Sequence, residues 1–181
     1  MIIRRIYIPF LLIKVIAYNK CRKIQSEQYR VSEGLMDKHI FKNLSWNTSL
    51  DGQKEAINKL ALMYNLNPSD LIQPQGKEYW ENAARALYLI RYPRIEEAIP
   101  GLFKWIQDLN WPGALIVMEL LKSLPKEAMI RHLESAALDA IHANDDIWLF
   151  NLSTFLTEYD LHEDDFISSE VYSVLASSLI L

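Results

Sequence analysis

Residues 92–124 read YPRIEEAIPGLFKWIQDLNWPGALIVMELLKSL. In the first half, Ile95, Ile99, Leu102, Ile106 and Leu109 recur at spacings of four, three, four and three. That places them on one face of a 3.6-residue period. Glu96, Glu97, Lys104, Gln107 and Asp108 fall off the stripe and can stay wet. Pro100 has no N–H, so it either bends this helix or occupies the first turn of a shorter one. Pro112 drives Trp111 out of the α region, which ends the first helix by about Asn110. Pro112 is itself suited to open a second helix. Ala114, Val117, Met118, Leu121 and Leu124 give that helix an apolar face, and Leu115, Ile116 and Leu120 make it apolar nearly all round. A helix of that kind is buried on more than one side. The stretch therefore predicts a helical hairpin sandwiched by further helices. Leu121→Ala should cost about 2–5 kcal/mol there, as large-to-small core changes do.

Outward from the hairpin the chain keeps to the same pattern. Lys38–Asn47 reads as a lead-in with Phe41, Leu44 and Trp46 as packing residues. Thr48 with Asp51 resembles a capping box, and Thr48 and Ser49 are both good N-caps. A helix to about Asn65 follows, with Ile57, Leu60, Ala61 and Tyr64 inward. Asn67–Asp70 and Pro74–Gly76 break the chain. Lys77 to about Arg91 is the next helix, with the stripe Trp80, Ala83, Ala84, Leu87 and Tyr88. Pro125 opens a helix to about Ala143 that turns Met129, Ile130, Leu133, Ala137 and Ile141 inward. Asn144-Asp145-Asp146 opens another to Tyr159, since carboxylates complement the positive end of a helix dipole. After His162–Asp165 a last helix carries Phe166, Ile167, Val171, Val174, Leu175 and Leu179.

The second helix of each pair begins alike. Trp80-x-x-Ala83-Ala84-x-x-Leu87, Trp111-x-x-Ala114-Leu115-x-x-Met118 and Trp148-x-x-Asn151-Leu152-x-x-Phe155 align at offsets of 31 and 37 residues. Two-helix repeats of about this length build helical solenoids, whose units bury their faces only against neighbours. The expected fold is all-α: a short HEAT-like α-solenoid of about three helix pairs plus a terminal helix, with a plain helical bundle as the fallback.

The chain has 181 residues, of which half are hydrophobic and 23% charged, an ordinary globular balance. One cysteine, Cys21, excludes an internal disulfide framework and fits a reducing, cytoplasmic location. Residues 1–94 carry 15 basic and 8 acidic side chains, net +7, and residues 95–181 carry 4 and 15, net −11. The acidic half repels phosphates, so no nucleic acid is expected as a partner. Arg85, Arg91 and Arg94 are too few to offset it. A basic partner would instead be steered toward it.

Residues 1–35 look unlike the rest and form an atypical N-terminal extension to a single HEAT-like domain over residues 36–181. Ile6–Tyr18 is apolar except for Lys14, but its length falls short of the roughly 20 residues a spanning helix needs, and no small-residue cleavage site follows. A membrane role is accordingly disfavoured. The other readings are an over-called start, with translation from Met36, and an added helix or strand.

Gln73-Pro74, Trp80-Glu81-Asn82-Ala83-Ala84, Tyr92-Pro93, Trp105-Ile106-Gln107-Asp108-Leu109-Asn110-Trp111-Pro112-Gly113-Ala114 and Asn144-Asp145-Asp146-Ile147-Trp148 together resemble an uncharacterised bacterial family. It is known as a domain of unknown function, number five thousand and seventy-one. The resemblance covers about residues 44–160 and leaves residues 1–35 outside. It implies a small HEAT-like helical protein and carries no activity, catalytic residue or cofactor with it.

Trp105, Asp108, Asn110 and Trp111 cluster at one turn, and Asn144, Asp145, Asp146 and Trp148 at the equivalent turn one repeat later. Equivalent turns of a solenoid line one ridge, which makes these eight the candidate partner-binding residues, as tryptophan is enriched at binding hot spots. The competing reading has Asp108 and Asn110 capping the turn while Trp111 and Trp148 pack between repeats. An acid–base carboxylate pair needs a pocket and separated pKa values, and at a solvated helix start Asp145 and Asp146 read as capping residues instead. His162-Glu163-Asp164-Asp165 has no Cys or second His at ligand spacing, so no metal is expected there. His132 and His142 have no partner at i±4. No Ser/His/Asp set can be assembled from the sequence. These features predict a non-enzymatic protein–protein interaction module, of the kind a bacterial immunity or regulatory protein uses to bind a basic partner. The alternative is an enzyme or small-ligand binder with its site in the solenoid groove.

Overall fold

The structure, a computed structural model, describes residues 39–179. The chain separates into two units, Met1–Ile40 and Phe41–Leu181; every labelled helix belongs to the second. The expectations for residues 1–35, the start at Met36 among them, lie outside the described residues. Among the described residues the protein is helical throughout, with no strand. The helices are α1 (Leu50–Leu62), α2 (Trp80–Ile90), α3 (Ile99–Trp105), α4 (Ala114–Leu121), α5 (Lys126–Ala143), α6 (Asp146–Glu158) and α7 (Ser169–Ser178), with short 3-10 turns at Pro68–Leu71, Lys77–Tyr79, Glu96–Ala98 and Glu163–Asp165.

The central hairpin is present but shorter than its apolar period. Pro100 sits in the first turn of α3, where its missing N–H has no carbonyl to lose. A 3-10 turn over Glu96–Ala98 takes the place of a longer helix before it. The helix stops at Trp105, and Ile106 is its C-cap although Ile106 is fully buried. Burial without helix is possible because the turn beyond it is itself packed. Helix α4 begins at Ala114, two residues past the expected Pro112, because Gly113 holds a left-handed backbone with φ 82°. Leu121 is fully buried, as expected for a core leucine.

Ser49 caps α1 by accepting from the Gly52 N–H, so the cap is one residue later than Thr48. Tyr64, expected inward, lies beyond the end of α1 and is 94% exposed. Ile167, expected in the last stripe, precedes α7 and is 97% exposed. In both cases the apolar residue lies outside the helix whose period would bury it, Tyr64 past the end of α1 and Ile167 before the start of α7.

Hydrogen bonds at both ends of neighbouring helices set their directions. Asn82, in the first turn of α2, donates from Nδ2 to Oε1 of Gln53, in the first turns of α1, at 2.8 Å. Arg94, just past α2, donates to the carbonyls of Ala61 and Met63 at the end of α1, at 2.8 and 2.6 Å. Helices α1 and α2 therefore run the same way, so they are neighbours in one row rather than the two antiparallel members of a helix pair. Residues 63–79 make this possible by returning the chain along the pair, with Pro68 and Leu71 buried in the return.

The same direction continues. The Trp80 and Trp111 rings meet edge to face at 5.7 Å, bringing the start of α4 to the start of α2. Trp148 and Asn151 in α6 donate to Phe103 and Ile106 near the end of α3, at 3.0 and 2.9 Å. At the other end of α6, the Tyr159 hydroxyl lies 3.0 Å from the carbonyls of both Leu121 and Leu124, where α4 ends. Helices α1, α2, α4 and α6 thus share one direction. Helices α3 and α5 share another, since Glu96 faces Arg131 at 4.0 Å and Lys104 faces Asp139 at 3.7 Å, each pair 35 residues apart. Helix α7 packs on α5 and α6. Buried Glu134 of α5 accepts from the N–H groups of Ile167 and Ser168, at 3.3 and 2.7 Å, and so fixes the start of α7.

Candidate functional site

The eight candidate residues divide by burial. Trp105 is fully buried, and its indole N–H reaches the Pro112 carbonyl at 3.1 Å. Trp148 is also buried, its indole N–H donating to Phe103. These two pack the core and offer nothing to a partner. Trp111 is half-buried against Trp80, whose ring also meets Trp105 edge to face at 5.9 Å. The three tryptophans make one continuous cluster that locks α2 to the hairpin turn.

The polar candidates stay at the surface. Asp108 Oδ1 accepts from the N–H and side-chain amide of Asn110, at 2.8 and 3.0 Å, and so closes the turn locally. Asn144 ends α5 in the left-handed conformation at φ 52°. Asp145 caps α6 by accepting from the Trp148 N–H at 2.9 Å. Asp146 is exposed in the first turn of α6. The two turns are adjacent, because Asn151 donates to the Ile106 and Gln107 carbonyls just before Asp108. The structure thus brings the two candidate turns together, with two of their three tryptophans, Trp105 and Trp148, buried and Trp111 half-buried.

A second surface feature was not singled out in the sequence. A trough of about 590 Å³ crosses α1, α2 and α4. Each helix contributes one turn: Lys54, Ile57 and Asn58 from α1; Arg85, Tyr88 and Leu89 from α2; Leu115, Ile116 and Glu119 from α4. The positions are in register. Lys54, Arg85 and Ile116 are each 31 residues apart, and so are Ile57, Tyr88 and Glu119. That step equals the offset between Trp80 and Trp111. Leu89 is 50% exposed and Leu115 64% exposed. Helix α4 is buried on more than one side, as expected, with Ala114, Val117, Leu120 and Leu121 fully buried, but Leu115 stays exposed in the trough above α1, α2 and α4. A smaller hollow continues past Lys54 and Arg85 toward Leu50 and half-exposed Trp46.

The three arginines weighed for nucleic acid have local roles. Arg94 caps α1, Arg85 pairs with Glu81 at 2.6 Å, and Arg91 stacks over the Tyr88 ring at 5.4 Å. At the last turn, Asp165 accepts from the His162 N–H and pairs with Lys126 at 3.1 Å, and these two contacts lower its pKa. No group of three or more His, Cys, Asp or Glu is placed to hold a metal among the described residues. No helix among them is long and apolar enough to cross a membrane.

Parallel helices stacked in register, with tryptophan-packed turns and an open apolar trough, define an all-helical protein. The family model described as Domain of unknown function (DUF5071) matches residues 73–177, more than half of the chain, and the protein belongs to that family. The match starts later and runs further than the expected span of residues 44–160, taking in α7 and leaving out α1. Neither the curated proteins nor the solved structures contain a match to the chain.

Proposed function

We propose that this protein is a non-enzymatic protein-interaction module, a short HEAT-like solenoid that holds a partner in the trough across α1, α2 and α4. One observation carries the reading: Leu89 and Leu115, from different helices, stand half or more exposed over a common apolar floor. Exposed apolar residues scattered singly need no explanation, but gathered into one concavity they mark an interaction site. The common direction of α1, α2 and α4 and their constant 31-residue step support the solenoid. In that architecture the face formed by equivalent helix positions is the one partners use.

A second reading rests on charge. Residues 95–181 carry a net −11, and exposed Asp146 stands beside the Asp108 turn. A basic partner, as an immunity or regulatory protein would neutralise, would dock on those turns rather than in the trough.

Photo-crosslinking separates the two. A crosslinking residue is placed at position 115 or position 146 of the full chain, expressed in its native cell. The trough reading expects one identified protein joined at position 115, with its capture lost in Leu115→Asp at unchanged melting temperature. Crosslinks at position 146 alone would replace it with the acidic-turn reading.

A further inference from the structure

We infer that the trough receives an amphipathic helix of a partner protein, with its acidic side chains over Lys54 and Arg85. This rests on the interaction-module reading and adds the partner's chemistry. Three observations carry it: the charge of the trough edge, its step, and its openness.

The edge formed by Lys54 and Arg85 is cationic at successive equivalent positions. Lys54 has no ion pair among the described residues. Arg85 gives one nitrogen to Glu81 at 2.6 Å, which leaves its other N–H groups uncommitted. The single acid of the lining, Glu119, already faces Lys122 at 3.3 Å. Two cations against one acid leave the lining at net +1, and the unanswered charge is that of Lys54. A partner segment that places carboxylates there gains attraction, and one that places lysines there meets repulsion.

Packed helices lie about 8–10 Å apart. Three in a row give a trough of roughly 16–20 Å, the length of about 11–13 helical residues at 1.5 Å each. Residues seven apart on such a helix are separated by about 10.5 Å, close to the roughly 8–10 Å from one packed helix to the next. An apolar stripe at i, i+4, i+7 and i+11, about 16.5 Å long at 1.5 Å per residue, would then rest across Ile57, Tyr88 and Leu115, the groove mode of helix recognition. A small amphipathic carboxylate shares the head-group chemistry. Small-ligand sites, however, enclose about 70–90% of their occupant, and a trough whose walls include a leucine 64% exposed does not.

The test uses the full chain and two labelled 14-residue helical peptides with the same leucine stripe. One carries Glu at two flanking positions seven residues apart, and the other carries Lys there. Fluorescence anisotropy should find the Glu peptide bound at least tenfold more tightly. The double variant Lys54→Glu, Arg85→Glu should reverse that order, and Leu115→Asp, a change at an exposed site, should abolish both. Equal or tighter binding of the Lys peptide would overturn the inference. So would displacement of the Glu peptide by dodecanoate, or sedimentation as a dimer that Leu115→Asp dissolves, for these name a small ligand or a second copy as occupant. If neither peptide binds while position 115 still crosslinks a protein in cells, this inference falls and the interaction-module reading stands. If position 115 crosslinks nothing either, both fall.

Discussion

Gly113, the N-cap of α4, lies directly against Ala84 of the parallel helix α2. A Cβ on Gly113 would lie 2.8 Å from the Ala84 Cβ and 3.1 Å from the Trp80 carbonyl oxygen. The same residue has φ 82°, which L side chains rarely adopt. Both features are needed for α4 to start against α2, and that start sets the register of the trough.

Gly113→Ala should therefore be costly twice. The left-handed backbone adds about 1–2 kcal/mol, and the clash, set against the rigid Ala84 Cβ and backbone atoms of Trp80 and Glu81, adds about 1–3 kcal/mol as overpacking does. Urea unfolding of the variant should give a lower midpoint with an unchanged slope. A variant as stable as the parent would mean that α2 and α4 are not held this closely.

Glu134 makes a second prediction, about the end of the stack. It is a buried carboxylate whose two oxygens accept from the Ile167 and Ser168 N–H groups. Glu134→Ala leaves both donors without a partner and should cost about 1.5–3 kcal/mol. Glu134→Gln keeps one acceptor oxygen and should cost less. Hydrogen exchange should report the loss first in α7, whose start these bonds fix. Uniform loss across all helices would instead mean that α7 does not open independently.

His132 gives a pH dependence on the acid side. Burial, and then the Arg131 charge, lower its pKa from 6.5, with Glu96 opposing them. The folded state therefore holds the proton less tightly than the unfolded chain. Stability is unaffected above about pH 6.5 and falls as pH drops from there through the lowered folded value. Melting temperatures between pH 7.5 and 5 should show this slope in the parent and a flatter one in His132→Gln. Parallel slopes would assign the acid sensitivity to other groups.

The helices were largely legible in the sequence because apolar period and proline position act locally. The directions were not, because they depend on contacts 29 to 45 residues apart, such as Asn82 to Gln53 and Trp148 to Phe103. Helix α1 is the plainest case. It stands 31 residues before α2 in register, so Ser49 occupies the place of Trp80 and Trp111. With no tryptophan there the repeat was invisible, and so was the trough it helps to form. The internal signal that would have revealed it is the spacing Lys54, Arg85 and Ile57, Tyr88. For Trp148, burial was readable from its place on the Leu152–Phe155 stripe. For Trp105 it was not, because the indole faces the core only once the turn folds back to bring the Pro112 carbonyl to its N–H.

Tyr159 carries the last prediction. Its hydroxyl sits 3.0 Å from the carbonyl oxygens of Leu121 and Leu124 and can donate its one proton to either. It thereby ties the end of α6 to the end of α4. Burial, reinforced by the Glu158 charge, pushes its pKa from 10.0 up to about 12. A phenolate there would face two carbonyl oxygens with no proton to give them, so the fold favours the neutral form. That contribution is complete below pH 10 and is lost as pH rises from 10 through 12. Tyr159→Phe should lower stability by about 1 kcal/mol at pH 7, the usual net worth of one hydrogen bond. It should also remove the Tyr159 part of the alkaline loss, so parent and variant should converge between pH 10 and 12. Chemical denaturation at pH 7, 9, 10.5 and 11.5 measures the gap directly. A gap that stays constant to pH 11.5 would mean that the hydroxyl titrates alike in the folded and unfolded chain, and that the link between α4 and α6 lies elsewhere.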